Sequence, residues 1–135
     1  MSAPTSLFDI KLALDEDSAY CPVRATLALL GLKWVPRIIY ELMNGKRRFN
    51  ELSCAVGGCN SRTLRDRLKG LEDLGIIERE VVAVMPPWVE YGLSDKGREL
   101  GNALRRLEEW GRSHMTEPAG APLPNPLPMG AREAL

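Results

Sequence analysis

The chain is short of histidine, cysteine and long apolar runs, and each shortage removes a class of function. Its 135 residues include one histidine and three cysteines. His114 stands far from Cys21, Cys54 and Cys59, no Cys-x-x-Cys pair occurs, and the spaced pair Cys54 and Cys59 has no second pair nearby. No metal site is expected from such spacing. An odd number of cysteines without a secretion signal argues for free thiols over a disulfide framework. The amino terminus lacks a basic region followed by an apolar run, and no stretch approaches the roughly 18 apolar residues of a membrane span. A cytoplasmic protein with no membrane partner is expected. Nucleophile-base constellations and glycine-rich phosphate loops are also missing, so neither a catalytic residue nor a cofactor is expected. Formal net charge is zero, which excludes nucleic-acid binding by bulk charge alone.

The charge that is present is unevenly placed. Residues 44–70 hold seven basic residues against Glu51 and Asp66, a net of +5, whereas residues 1–20 hold Asp9, Asp15, Glu16 and Asp17 against Lys11. Apolar residues make up 44% of the chain, enough for one compact domain, expected over residues 20–115. An arm at 1–19 precedes it. A tail at 116–135 follows, where prolines at 118, 122, 124, 126 and 128 forbid helix or sheet.

The basic segment is organised around Gly57 to Gly75. Asn60 or Ser61 can cap a helix there, and Gly75 can take the left-handed conformation that ends it. Leu64, Leu68, Leu71 and Leu74 recur at helical spacing and form one apolar stripe. The opposite face carries Arg62, Arg65, Asp66 and Lys69. Arg67 lies at the stripe's edge, where its stem can pack while its head reaches outward. Asp66 reads as a local partner for Arg62 and Lys69 before it reads as an acceptor for cytosine. The preceding Arg48 to Val56 is a second short amphipathic helix joined through Gly57-Gly58, which makes a helix-turn-helix pattern.

The other elements fit around this pair. Pro22 opens a helix whose apolar side is Val23, Leu27, Ala28 and Leu30, ending at Gly31. A second helix starts in Lys33-Trp34-Val35-Pro36, with Trp34 as a core anchor, and ends at Asn44-Gly45. Lys46, Arg47 and Arg48 read as a loop sited to hold phosphates. Two β-rich runs, Ile76 to Val84 and Trp88 to Leu93, read as a hairpin broken at Met85-Pro86-Pro87. A long final helix, capped by Ser94 or Asp95, carries Leu100, Leu104, Leu107 and Trp110 on one side with no remaining chain to cover them. That stripe predicts a homodimer. The expected fold is mainly α with a small β-hairpin wing, a winged helix-turn-helix that dimerises through its terminal helices.

The runs Cys21-Pro22-Val23, Gly31-Leu32-Lys33-Trp34, Arg48-Phe49-Asn50-Glu51-Leu52, Leu64 to Leu71, Pro86 to Tyr91 and Leu93-Ser94-Asp95-Lys96-Gly97 occur in one order. In this the sequence resembles the HxlR-type branch of bacterial transcription regulators, relatives of the MarR group. The resemblance covers Cys21 to about Trp110 and implies a homodimeric regulator on a palindromic operator of double-stranded DNA. Two positions depart from it: Trp88 stands where a basic residue is common, and Cys59 where an aliphatic one is usual.

On this reading Ser61, Arg62, Arg65 and Lys69 face base edges and near phosphates, with arginine suited to guanine because its fork matches two acceptors. Lys46, Arg47, Arg48 and the wing hold the backbone. Cys21 matches the amino-terminal cysteine that some resembled regulators use as a thiol switch. It also precedes Pro22 at a helix start, where the dipole favours negative charge. Oxidation or an electrophile at Cys21 would then control binding, while Cys54 and Cys59 rank below it. Two alternatives stand beside this reading. One is a small-molecule effector bound between the dimerisation helices and the core; the other is a winged helix that binds protein and does not read DNA.

Overall fold

Prolines and polar caps set the helix starts. Pro22 opens α1 (Pro22–Leu30), and Pro36 sits in the first turn of α2 (Val35–Leu42), where a missing backbone N–H costs nothing. Glu51 Oε1 accepts a hydrogen bond from Arg48 N at 2.8 Å and fixes the start of α3 (Phe49–Val56). Asn60 Oδ1 accepts from Thr63 N at 2.8 Å at the start of α4 (Ser61–Asp73). Ser94 Oγ accepts from Gly97 N at 3.0 Å at the start of α5 (Asp95–His114). Of the alternative caps offered by the sequence, Asn60 and Ser94 are therefore the ones used. Gly75 ends the α4 segment at φ +76°, a conformation that costs glycine nothing.

This computed structural model describes residues 21–116, so the expected arm at 1–19 and all but the first residue of the expected tail lie outside the described residues. Five helices and three strands occupy the described part, in the order α1, α2, β1, α3, α4, β2, β3, α5. The core is built from α2, α3 and α4 with the base of the hairpin. Ile38, Ile39, Leu52, Leu64, Leu68, Leu71 and Ile77 are buried there. Trp34 packs against it, as expected of an anchor, and does so at φ +79°. Its ring covers the α3–α4 turn: a Cβ added at Gly58 would lie 3.7 Å from Trp34 Cη2.

The sheet adds a strand that the sequence reading had as loop. Arg47–Arg48 form β1, which pairs antiparallel with β3 (Trp88–Leu93) in the register Arg47↔Tyr91 and Arg48↔Glu90. β3 pairs in turn with β2 (Ile77–Ala83), so the order is β1-β3-β2. Two consecutive charged residues carry no alternation to detect, and the partner strand alone makes them a strand.

Both terminal helices are less covered than their patterns suggest. On α1 only Leu29 is buried, while Val23 and Leu27, expected on a core-facing side, are exposed. On α5 the stripe divides. Leu100 and Leu104 pack against the domain's own core, and Leu107 and Trp110 stay exposed. The carboxyl-terminal half of α5 is tied to α2 by Tyr40, whose hydroxyl donates to Glu108 Oε2 at 3.0 Å. Burial, and then this carboxylate, hold the Tyr40 phenol above its ordinary range.

Candidate nucleic-acid interface

The seven basic residues of the central segment fall into three groups by what already holds them. Arg47 and Arg67 are committed to the fold. Arg47 Nε donates to Glu41 O at 3.3 Å and Nη2 lies 4.0 Å from Glu41 Oε1, so its head turns toward the core and away from a phosphate. Sequence reasoning placed Arg47 among the backbone contacts because it saw three consecutive cations. Strand pairing overrides that, since neighbouring residues of a strand point to opposite faces. Arg67 is buried, with Nε donating to Lys33 O at 2.9 Å and Nη1 to Asp66 Oδ2 at 2.7 Å. The expected outward reach of its head is thus replaced by a tie to the α1–α2 connection. Asp66 partners this neighbour, not Arg62 or Lys69.

Lys46 and Lys69 form exposed ion pairs. Lys46 Nζ lies 2.7 Å from Glu80 Oε1, and Lys69 Nζ lies 3.0 Å from Asp73 Oδ1. Those hydrogen bonds raise each ammonium above the ordinary lysine range. Water competes for both pairs, so a phosphate can exchange with either carboxylate at small cost.

Arg48, Arg62 and Arg65 form the third group. Among the described residues none of their guanidinium groups joins an ion pair. Arg62 and Arg65 project from the exposed face of α4, with Ser61 exposed at its first position. Arg65 lies over the Phe49 ring, 4.0 Å from its centroid, and Arg48 lies over the Trp88 ring at 4.2 Å. The sequence reading did not pair either ring with an arginine. Trp88 was read as a strand and motif residue standing where a cation is common, and Phe49 as part of a motif.

The hairpin supplies little positive charge of its own. Its strands carry Glu78, Glu80 and Glu90 against Arg79, and its tip exposes Val84 and Met85 at 78% and 90%. A tip of this kind offers apolar surface, and the cation stacked on a wing ring is Arg48, over Trp88. The expectation that the wing holds the backbone therefore rests on a residue from β1.

The cysteines separate cleanly. Cys21 is exposed at the position preceding α1 and Cys54 is exposed on α3, whereas Cys59 is buried. Burial pushes the Cys59 thiol up, which disfavours the reactive thiolate. Among the described residues no group of His, Cys, Asp and Glu could hold a metal ion, and no helix is long and apolar enough to cross a membrane.

Comparison with known proteins agrees with this geometry. Residues 29–119 match the family model described as HxlR-like helix-turn-helix. The chain is 38% identical over 107 residues to the uncharacterized HTH-type transcriptional regulator YdeP of Bacillus subtilis, covering 77% of this chain and 84% of that protein. Among solved structures it is similar to the redox regulator HypR in its oxidized form, at 39% identity and a TM-score of 0.65, over 72% of this chain and 100% of that one. It is also similar to the reduced form of the transcriptional regulator YodB from B. subtilis, at 33% identity and a TM-score of 0.64, over 72% of this chain and 96% of that one.

Proposed function

Because the chain belongs to the HxlR-like helix-turn-helix family of transcriptional regulators, we propose that its homodimer binds a palindromic DNA operator through α4 and that modification of Cys21 controls this binding. The observation that carries the DNA reading is the exposed face of α4, where Arg62 and Arg65 stand outside every ion pair among the described residues. Each has an unoccupied fork for two acceptors of guanine or for a phosphate. Arg48, Lys46 and Lys69 are placed to meet the backbone on either side and to set register. Arg47 is withdrawn from that set.

Twofold symmetry would place the two α4 helices about one DNA turn apart, roughly 34 Å. Leu107 and Trp110 on α5 and Met115 at its end, with Val23 and Leu27 on α1, are large apolar residues that the domain leaves uncovered near its two ends. A charge at Leu107 acts on this surface without disturbing the domain's own packing, unlike one at the half-buried Leu104. Leu107→Glu should convert the dimer to a monomer by sedimentation and lose operator affinity with it. A parent that sediments as a monomer at micromolar concentration while binding the operator normally would overturn the dimer.

Cys21 supports the switch by being exposed at a helix start. Diamide would take two electrons and two protons from two Cys21 thiols to leave a bridge across the dimer axis, and a quinone would add directly to one sulfur. Either change would alter α1, and α4 is linked to the connection that follows α1 through the Arg67 bond to Lys33 O.

One experiment tests the whole reading. A duplex is enriched from a random pool by the parent protein, and its affinity is measured at two salt concentrations, reduced and after diamide. Arg62→Ala and Arg65→Ala should each lose about 1–3 kcal/mol on that duplex, and parent affinity should fall steeply with salt. Diamide should change the affinity of the parent and of Cys54→Ser but not of Cys21→Ser. Failure to enrich any duplex sinks the DNA reading, and an unchanged response in Cys21→Ser sinks the switch alone.

A further inference from the structure

Arg48 and Phe49 are consecutive, yet one is the guest of an aromatic ring and the other is the host for a guanidinium. Arg48 sits opposite Glu90 in the β1–β3 ladder, so its nearest same-face neighbours on β3 include Trp88, two residues away. Trp88 Nε1 donates to Glu90 Oε2 at 2.9 Å, which fixes the plane of the indole under the Arg48 head. Phe49 begins α3 and packs against the core on one side while Arg65 of α4 covers its ring at 4.0 Å. Arg48 and Arg65, both outside every ion pair among the described residues, thus each lie on an aromatic face.

We propose that Phe49 and Trp88 are positioning residues for DNA binding: each holds an arginine flat on its ring so that the arginine's donors face the duplex. The proposal rests on the function given above. A guanidinium attracted to a ring uses its planar face for that contact, whereas its five N–H donors lie in the plane and stay available at its edge. A free arginine on a helix loses its rotamer freedom when it closes on a base or phosphate. One already laid on a ring has lost most of it in the unbound protein. Neither ring needs to touch DNA, and neither carries charge, so the effect travels only through the arginine above it.

That route makes a specific pattern in a double-mutant cycle. Phe49→Leu, measured on the duplex enriched by the parent, should weaken binding about three- to tenfold. The same change in an Arg65→Ala background should have no further effect, and Phe49→Tyr should bind as the parent does. Because no charge is lost, the dependence of affinity on salt should keep its slope in Phe49→Leu. Trp88→Leu with Arg48→Ala forms a second cycle with the same expected pattern. Trp88 is 40% exposed, so this cycle remains readable if Phe49→Leu fails to fold. If the ring variants bind like the parent, or if their effects add to those of the arginine variants, the positioning role is wrong while the DNA reading stands. A parent that binds no duplex overturns both.

Discussion

Gly97→Ala should destabilise the protein by about 2–4 kcal/mol, enough to lower the melting temperature by roughly 10–20 °C in a domain of this size. A Cβ at this position would lie 2.1 Å from the Ile76 carbonyl oxygen and 3.2 Å from Leu93 Cδ2. The oxygen cannot retreat freely, because it accepts from Ser94 N at 3.0 Å and lies 3.0 Å from Ser94 Oγ, whose proton it shares with Gly75 O at 2.6 Å. The clash thus falls on the junction that ties the start of α5 to the segment leaving α4. Alanine's better helix propensity, about 1 kcal/mol, acts in the opposite direction and is too small to win. Gly101→Ala on the same helix is the control. Its Cβ would meet the flexible Met43 side chain at 3.0 Å, which can move aside, so propensity and crowding should nearly cancel. Urea unfolding of the two variants checks the contrast. Equal stability in both would mean that the α5 start moves more easily than its hydrogen bonds imply.

That junction also shows how far the sequence could be read. The α4 stripe, the Asn60 and Ser94 caps and the Gly75 stop are local devices, in which each signal lies within a few residues of its effect. They were legible, and with the two β-rich runs after Gly75 they gave the winged helix-turn-helix order. The position of Gly97 against Ile76 O is not local, and glycine inside a helix pattern gives no sign of what approaches it. The site divides in the same way. Exposure of Arg62 and Arg65 follows from helical periodicity alone. The withdrawal of Arg47 into Glu41 and of Arg67 into Lys33 O depends on a short strand and on a connection more than thirty residues upstream in the second case. Charge counting treated these cations as equivalent. Only the chain's path shows which of them the fold has already used.

The most instructive of the used charges is Glu41, fully buried on α2, and its partner Arg37 predicts the second large effect. Arg37 Nε lies 2.7 Å from Glu41 Oε2, and Arg37 Nη2 donates to Ala55 O at 3.1 Å, so one guanidinium joins α2 to α3 beside the turn that leads to α4. Arg47 approaches the other carboxylate oxygen at 4.0 Å. The two arginine side chains are 30% and 24% exposed, whereas that of Glu41 is 1% exposed. Removing an arginine and removing the acid are therefore not equivalent. Arg37→Ala takes away the close partner of a carboxylate that has no route to water, and it should cost about 3 kcal/mol, at the lower end for breaking a buried pair because Arg37 itself is partly hydrated. Glu41→Leu leaves two arginines that can turn toward solvent and fills the space with apolar atoms, and it should cost about 1 kcal/mol or less. The decisive measurement is the double variant Arg37→Ala/Glu41→Leu. It should be more stable than Arg37→Ala alone, because deleting the buried charge removes the penalty that deleting its partner created. A double variant less stable than either single change would mean that Glu41 holds the α2–α3 junction through packing, and that its charge is incidental.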